Sequence, residues 1–392
     1  MNHTCVSSVN KRIGIIGGGQ LGKMMILEAK RLGFYITVLD PSADCPARSI
    51  CDELIVAGFD DDEAYFELAK KADVITYEFE HINIKALEIL EREGRAIYPS
   101  IKSLKTIQNK YLQNKTLEEN GIPTPRFAKV ASVEDIREMG KPGRFGYPMM
   151  LKSATGGYDG KGNFLIRDES QAEDAYLRLG GGAVELMAEE FCDFEREISI
   201  IACRGIDGVR VIYPIAENTH RDSILDTTVV PARIDRAAAD KAAAIADRVM
   251  EVFEGVGTFG IELFLGKDGE IYVNEVAPRP HNSGHYTIEG CFANQFENHI
   301  RAITGLPFGN TGLILPTVMV NLLGEGCGEA RLLGLEQAYR DNPNLRVHLY
   351  GKPESKTARK MGHFTVVDEC VDAAIEKAQR AKQILRVVGG AL

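Results

Sequence analysis

Two periods of apolar residues run through this chain. Residues 12–16 form a short β-branched run that leads straight into glycines, and apolar positions recur at helical spacing over 21–31. A second strand is predicted over 35–39, ending at Asp40, and a further one over 73–77. Strands alternating with helices predict a parallel sheet in a doubly wound domain. The pattern then turns helical: 104–119 reads as one amphipathic helix, stopped by Asn120-Gly121 and followed by the extended Ile122-Pro123-Thr124-Pro125. The middle of the chain predicts strands at 148–152, 163–167, 186–191, 196–203, 209–215, 260–265 and 270–276, with an Ala-rich helix over 237–253. Glycine-rich turns between them indicate an α+β domain built mainly of antiparallel pairs. Beyond residue 312 come a few strands and a final helix, 371–385. The expected organisation is an α/β domain over 1–107, an α+β domain over 108–311 and a small domain over 312–392.

Length agrees with two or three domains, since 392 residues exceed one compact core. The formal net charge of -10, with acidic and basic residues interspersed, argues against a nucleic-acid partner. No run approaches a membrane span, and the residues before Arg12 lack the apolar core of a secretory signal, so a cytoplasmic location is expected. The eight cysteines are scattered with no C-x-x-C pair, which points to reduced thiols and no structural zinc.

Gly17-Gly18-Gly19-Gln20-Leu21-Gly22 fits G-x-G-x-x-G, and Asp40 ends the next strand where a ribose-binding acid is expected. By itself this suggests a dinucleotide dehydrogenase. The glycines are equally suited to any phosphate at a helix N-terminus, or to close strand–helix packing. Nothing further along offers a hydride-transfer site.

The rest of the chain carries other chemistry. Lys152 to Asn163 (KSATGGYDGKGN) lies between two predicted strands, so it reads as a glycine-rich hairpin flap rather than a Walker loop. Such a flap can close over phosphates, with Lys152 and Lys161 meeting their charge. In the segment 260–275, Asp268-Gly269 is a two-residue turn signal, and counting outward sets Glu262 opposite Glu275. Opposed carboxylates repel, so a neutralising partner is expected: a magnesium ion bridging phosphates, or a lysine or arginine. Strand alternation points Asn274 to the other face. Arg279, His281, Asn282 and His285 follow in a proline-bounded turn. There Arg279 suits a planar oxyanion such as bicarbonate, His281 a donor to the same anion or a contact to the nucleophile, and His285 a core hydrogen bond. Lys352, Lys356, Arg359, Lys360 and His363 form a late basic cluster suited to a phosphate monoester, or else a solvated face.

GGGQLGKM, LKSATGGYDGKGNF, EEFCDFEREISI, ENTHRDSIL, NEVAPRPHNSGHYTIEG and ARKMGH occur in this order between Arg12 and His363. This set closely resembles the 5-(carboxyamino)imidazole ribonucleotide synthase family of the ATP-grasp superfamily. The resemblance implies a Rossmann-like pre-ATP-grasp domain, an ATP-grasp domain and a small C-terminal domain, usually in a homodimer. It implies carboxylation of aminoimidazole ribonucleotide with bicarbonate and magnesium-ATP through carboxyphosphate, in purine biosynthesis. It places Lys110 and Lys152 on ATP phosphates, Gly157, Tyr158, Asp159, Gly160, Lys161, Gly162 and Asn163 in the flap, and Glu189, Glu190, Phe191 and Cys192 along adenine. Glu197 and His220 complete the nucleotide site, with Asn274 and Glu275 near its phosphates, and Glu262 and Glu275 hold magnesium. Gln20, Leu21, Tyr158, Asp159, Lys161, His281 and Asn282 line the acceptor site, and Lys352, Arg359 and Lys360 lie near its phosphate. Arg279, His281 and Lys161 serve the reacting groups. Many relatives carry arginine at the position of Lys110, and arginine often stands in the stretch that here reads Ser153-Ala154-Thr155. The alternatives are another ATP-grasp ligase of formate-using transformylase or biotin carboxylase type, the dehydrogenase, and a non-catalytic ATP binder.

Overall fold

The computed structural model describes residues 11–157 and 162–390. The flap residues Tyr158, Asp159, Gly160 and Lys161 lie outside the described residues, as do 1–10.

Strands β1 (Arg12–Ile16), β2 (Tyr35–Asp40), β3 (Glu53–Val56), β4 (Val74–Tyr77) and β5 (Ala96–Ile97) form a parallel sheet in the order β3-β2-β1-β4-β5. The central strand is apolar on both sides because both faces are covered. Ile13 and Ile15 pack with helix α1 (Gln20–Arg31), while Ile16 packs with Tyr65 and Leu87 on the opposite side. Helix Gln295–Thr304, contributed from far along the chain, seals the α1 side through Phe296, Ile300 and Ile303. The order reverses at β1, so the crevice beyond the strand ends there is a natural ligand site.

The predicted helix over 104–119 is instead two, Ile101–Gln108 and Lys110–Glu119. Asn109 separates them in extended conformation, and its side chain accepts the Leu112 N–H as a cap. Its short polar side chain favours a cap over a helix interior. The break also frees the Lys110 N–H to donate to the Ala154 carbonyl at 2.7 Å, tying the second helix to the flap's base.

A four-stranded antiparallel sheet follows, from β6 (Phe127–Val130), β7 (Met149–Ser153), β8 (Asn163–Ile166) and β9 (Leu186–Glu190), in the order β6-β9-β7-β8. Lys152 pairs with Asn163, so β7 and β8 run antiparallel on either side of the flap segment. The largest sheet contains β10 (Phe194–Arg204), β11 (Arg210–Ile212), β12 (Ala216–Arg221), β13 (Ile224–Val230), β14 (Gly257–Gly266) and β15 (Ile271–Ala277). It continues through β16 (Thr317–Glu325), β17 (Gly328–Leu333), β18 (Arg346–Leu349), β19 (Glu354–Ser355), β20 (Lys360–Val367) and β21 (Arg386–Gly389). The predicted strand over 209–215 is only the short β11. Helix Arg236–Phe253 packs its alanine face, Ala238, Ala242 and Ala246, on β10, β14 and β15. Helix Val371–Ile384 covers β16 and β20.

The β14–β15 hairpin departs from the expected two-residue turn. Leu265 pairs with Ile271, and the Gly266 N–H donates to the Glu270 carbonyl, leaving Lys267, Asp268 and Gly269 as a three-residue loop. Gly269 takes a φ of 76°, which a side chain would resist. A bulge then restores the expected count: Leu263 pairs with Val273 but Glu262 with Glu275, so Asn274 is the extra residue.

Candidate active site

The bulge decides where the chemistry sits. Glu262 and Glu275 are opposed, and Asn274 does not point to the far face, because an inserted residue breaks the alternation. Its Nδ2 lies 3.4 Å from Glu262 Oε2, and its Oδ1 lies 3.5 Å from Lys152 Nζ. Lys152, on β7, pairs with Glu189 of the neighbouring β9 at 2.6 Å. Asn114 holds the other Glu189 oxygen at 3.2 Å. Lys110, at the start of its helix, reaches Glu275 at 2.8 Å. Two sheets and one helix thus bring two lysines, three carboxylates and two amides together.

The two facing carboxylates are not equivalent. Burial, then the Glu275 charge, raises the Glu262 pKa. Burial would do the same to Glu275, but Lys110, with help from Lys152 and Arg279, outweighs it and holds the group below its ordinary value. Burial lowers Lys110, and Glu275 more than reverses this. Lysine therefore neutralises one acid of the pair, and the second retains an unfavourable charge. The side chains keep 22% and 44% of their surface accessible, so a solute can reach both. Oxygen donors of this kind fit a magnesium ion that completes its shell with phosphate oxygens. Among the described residues no group of three or more His, Cys, Asp or Glu side chains is placed to hold a metal ion by itself.

On the next strands, Glu197 of β10 and His220 of β12 meet at 2.6 Å. Burial lowers His220, but Glu197 and Glu262 raise it further, so its net shift is upward. Past β9, Phe191 is exposed and Cys192 half-buried, while the Glu190 side chain binds Arg126 through two contacts of 2.7 Å. The seven described cysteines are all free.

The turn after β15 is placed differently from a free anion clamp. Arg279 Nε lies 2.9 Å from Glu80 Oε1, an ion pair across to the N-terminal domain. His281 Nε2 lies 3.6 Å from Glu262 Oε1. Burial, then Arg279 and Lys360, press the His281 pKa well down, so the ring is neutral near pH 7. Asn282 is buried in a reciprocal amide pair with Asn321, at 3.0 and 2.8 Å. His285 is fully buried and bonded to Gln295 at 3.3 Å, the core role expected for it.

The glycine loop binds its own chain. The Gly18 N–H donates to Asp40 at 2.8 Å, and the Gly19 and Gly22 N–H groups donate to the two oxygens of Glu78 at 2.5 and 2.6 Å. The amides that a dinucleotide would need are therefore satisfied, and Asp40 is committed to the loop. Burial raises Glu78 despite these two donors. Sequence reasoning missed Glu78 and Glu80. Their signal was available: they follow β4 directly, at the carboxyl end of the strand beside the glycine loop.

Lys352 closes the cavity from the C-terminal side. Its Nζ donates to Gln20 Oε1 at 2.9 Å and to the Lys360 carbonyl at 2.6 Å. A cavity of about 350 Å³ lies here, lined by Gly19, Asp40, Ser42, Lys352, Lys356 and Arg359 among others. Arg359 donates to the Glu354 carbonyl at 2.8 Å. The Leu21 side chain is buried in the N-terminal core.

Three family models match in succession: the ribonucleotide synthetase preATP-grasp domain over residues 10–108, the ATP-grasp domain over 115–296, and the phosphoribosylaminoimidazole carboxylase C-terminal domain over 317–377. The N5-carboxyaminoimidazole ribonucleotide synthase of Bacillus subtilis is 41% identical over 370 residues, 93% of each chain. The crystal structure of N5-carboxyaminoimidazole ribonucleotide synthetase from Thermotoga maritima superposes with a TM-score of 0.88 at 49% identity, covering 97% of this chain and 100% of that one. The Aspergillus clavatus N5-carboxyaminoimidazole synthase, solved in complex with ADP and 5-aminoimidazole ribonucleotide, matches at 34% identity with a TM-score of 0.87, over 95% of this chain and 98% of that one. With three domain models in register and such relatives along nearly its whole length, the chain belongs to the N5-carboxyaminoimidazole ribonucleotide synthase family of ATP-grasp enzymes.

Proposed function

We propose that this chain uses ATP and bicarbonate to carboxylate the exocyclic amine of 5-aminoimidazole ribonucleotide, releasing ADP and phosphate in purine biosynthesis. The observation that carries this reading is the Glu262–Glu275 pair on the β14–β15 hairpin, flanked by Lys110 and Lys152 from a helix and from β7. When bound, magnesium would be held by Glu262 and Glu275, with Asn274 beside them, and would supply positive charge to the phosphoryl oxygens. Lys110 and Lys152 orient the same phosphates as point charges. Bicarbonate attacks the γ-phosphoryl group to give carboxyphosphate. That species breaks into carbon dioxide and phosphate next to the amine; the amine nitrogen bonds to the carbon and its proton passes to the released phosphate, with water kept out of the site. No protein nucleophile is needed.

The ribonucleotide fits the cavity between the glycine loop and the late basic cluster, with Lys352, Lys356 and Arg359 toward its phosphate. Arg279 and His281 lie where the anion is made. The flap residues Tyr158, Asp159 and Lys161 complete the acceptor site in this reading, and Glu189 to Cys192, Glu197 and His220 the nucleoside site. Domain limits of 1–107, 108–311 and 312–392, the homodimer and a cytoplasmic location belong to the same proposal. No helix among the described residues is long and apolar enough to cross a membrane. The test is phosphate release with each of ATP, bicarbonate, ribonucleotide and magnesium omitted in turn. Release should require all four; full release without the ribonucleotide or without bicarbonate would refute the reaction.

A further inference from the structure

His281 sits at the N-cap of the one-turn helix Asn282–Gly284, with its ring turned back onto the chain. The Ser283 backbone N–H donates to His281 Nδ1 at 3.3 Å. A backbone amide can only donate, so Nδ1 must present its lone pair. The neutral ring then carries its proton on Nε2. Ser283 Oγ lies 2.9 Å from the same Nδ1. Behind it runs a buried chain: Ser199 Oγ donates to Ser283 Oγ at 2.9 Å, Asn218 Nδ2 to Ser199 Oγ at 2.8 Å, and Thr228 Oγ1 to Asn218 Oδ1 at 2.9 Å. Each link has its hydrogen pointing toward the histidine. Ser283, Ser199, Asn218 and Thr228 are all buried. The backbone of His281 is pinned independently, since its N–H and carbonyl bind the Gln295 amide at 2.8 and 2.7 Å.

We propose that the Thr228–Asn218–Ser199–Ser283 relay is a tautomer lock. It holds His281 with its proton on Nε2, so that the ring donates a hydrogen bond to the bicarbonate-derived oxyanion and does not act as the base for the amine. The four relay residues are positioning residues, and only His281 touches the reacting groups. The role given to Nε2 rests on the reaction proposed above; the tautomer itself rests on geometry alone. Asn218 Nδ2 can only donate, which leaves Ser199 Oγ to pass its own hydrogen to Ser283 Oγ and Ser283 Oγ to pass its own to Nδ1, so the buried chain favours one protonation pattern at its end. Nε2 lies 3.6 Å from Glu262 Oε1, which places the donor at the edge of the phosphate-binding centre.

The experiment uses the full chain labelled with ¹⁵N-histidine, with the His281 signals assigned by their loss in His281→Gln. Long-range ¹⁵N–¹H correlation should show a bare Nδ1 and a protonated Nε2 in the wild type. Ser283→Ala and Ser199→Ala should each move His281 toward a mixture of tautomers. They should also lower kcat/KM for bicarbonate by about fivefold, the worth of one neutral hydrogen bond, and leave the KM for ATP within about twofold. Purely structural damage would move both kinetic constants and leave the tautomer signature alone. A protonated Nδ1 in the wild type overturns the proposal. So does an unchanged spectrum in both variants, whatever their kinetics. If the wild type releases no phosphate with bicarbonate and ribonucleotide, the reaction fails, and the spectra still decide the tautomer.

Discussion

Gly260 is the position at which one methyl group should do the most to the site. It lies on β14, two residues before Glu262, and pairs with Ala277. A Cβ added there would stand 2.4 Å from His281 Cβ and 2.6 Å from its Cγ. Ordinary contact begins near 3.4 Å, so the ring must retreat by about 1 Å. It has little freedom to do so, because Gln295 grips both backbone polar groups of His281 and Ser283 holds Nδ1. Overpacking of this kind costs about 1–3 kcal/mol. That is less than the roughly 5–15 kcal/mol of a typical domain, so Gly260→Ala should fold. Displacement of about 1 Å at a reacting centre costs on the order of 100-fold in rate. The expected result is a kcat lower by one to two orders of magnitude (roughly 10- to 100-fold), with a modest drop in melting temperature. Steady-state phosphate release and thermal unfolding on the same preparation measure both. Turnover within about twofold of wild type would show that His281 is not held as tightly as its hydrogen bonds imply.

Four further outcomes follow from the site. Glu275→Gln should lose at least about 100-fold in magnesium-ATP turnover while remaining folded, and near-normal turnover would remove the metal assignment. Arg359→Ala should raise the KM for the ribonucleotide far more than that for ATP; equal changes would take Arg359 away from the acceptor phosphate. Glu78→Ala leaves the Gly19 and Gly22 amides without their acceptor, and should lower stability by about 2 kcal/mol in urea unfolding, with water recovering part of the loss. An unchanged midpoint would mean that the glycine loop does not depend on Glu78. The upward shift of His220 fixes a sign for pH. Its pairing with Glu197 contributes fully below the ordinary histidine value of 6.5 and fades as pH rises through the higher folded value. The stability gap between wild type and Glu197→Gln should therefore shrink with rising pH above that value, and a gap that widens would contradict the pairing.

Much of this was legible in local pattern. Strand β1 has the bounds expected from its apolar run, and the Ala-rich helix begins one residue earlier than expected, at Arg236. The misses have physical causes. Asn109 breaks a helix that its neighbours' periodicity favours, because capping and the bond to Ala154 are worth more than one further turn. The β12–β13 hairpin went unpredicted since its turn, Asp222-Ser223, adopts positive φ without glycine. Glu262 was set opposite Glu275 by a count in which two departures cancel, a three-residue loop and a bulge at Asn274. Only the second has a consequence for the site, turning Asn274 inward.

Taken alone, the sequence determined the parallel N-terminal sheet, the glycine flap between two strands and the residues of the acidic hairpin, since each depends on neighbours within a few positions. Tertiary structure decided which charges meet. Lys110 finds Glu275, Arg279 finds Glu80, and the glycine-loop amides find Glu78, because these partners lie on separate elements that only packing brings together. Local spacing cannot encode such pairs; the burial of unpaired polar groups enforces them once the sheets and helices have docked.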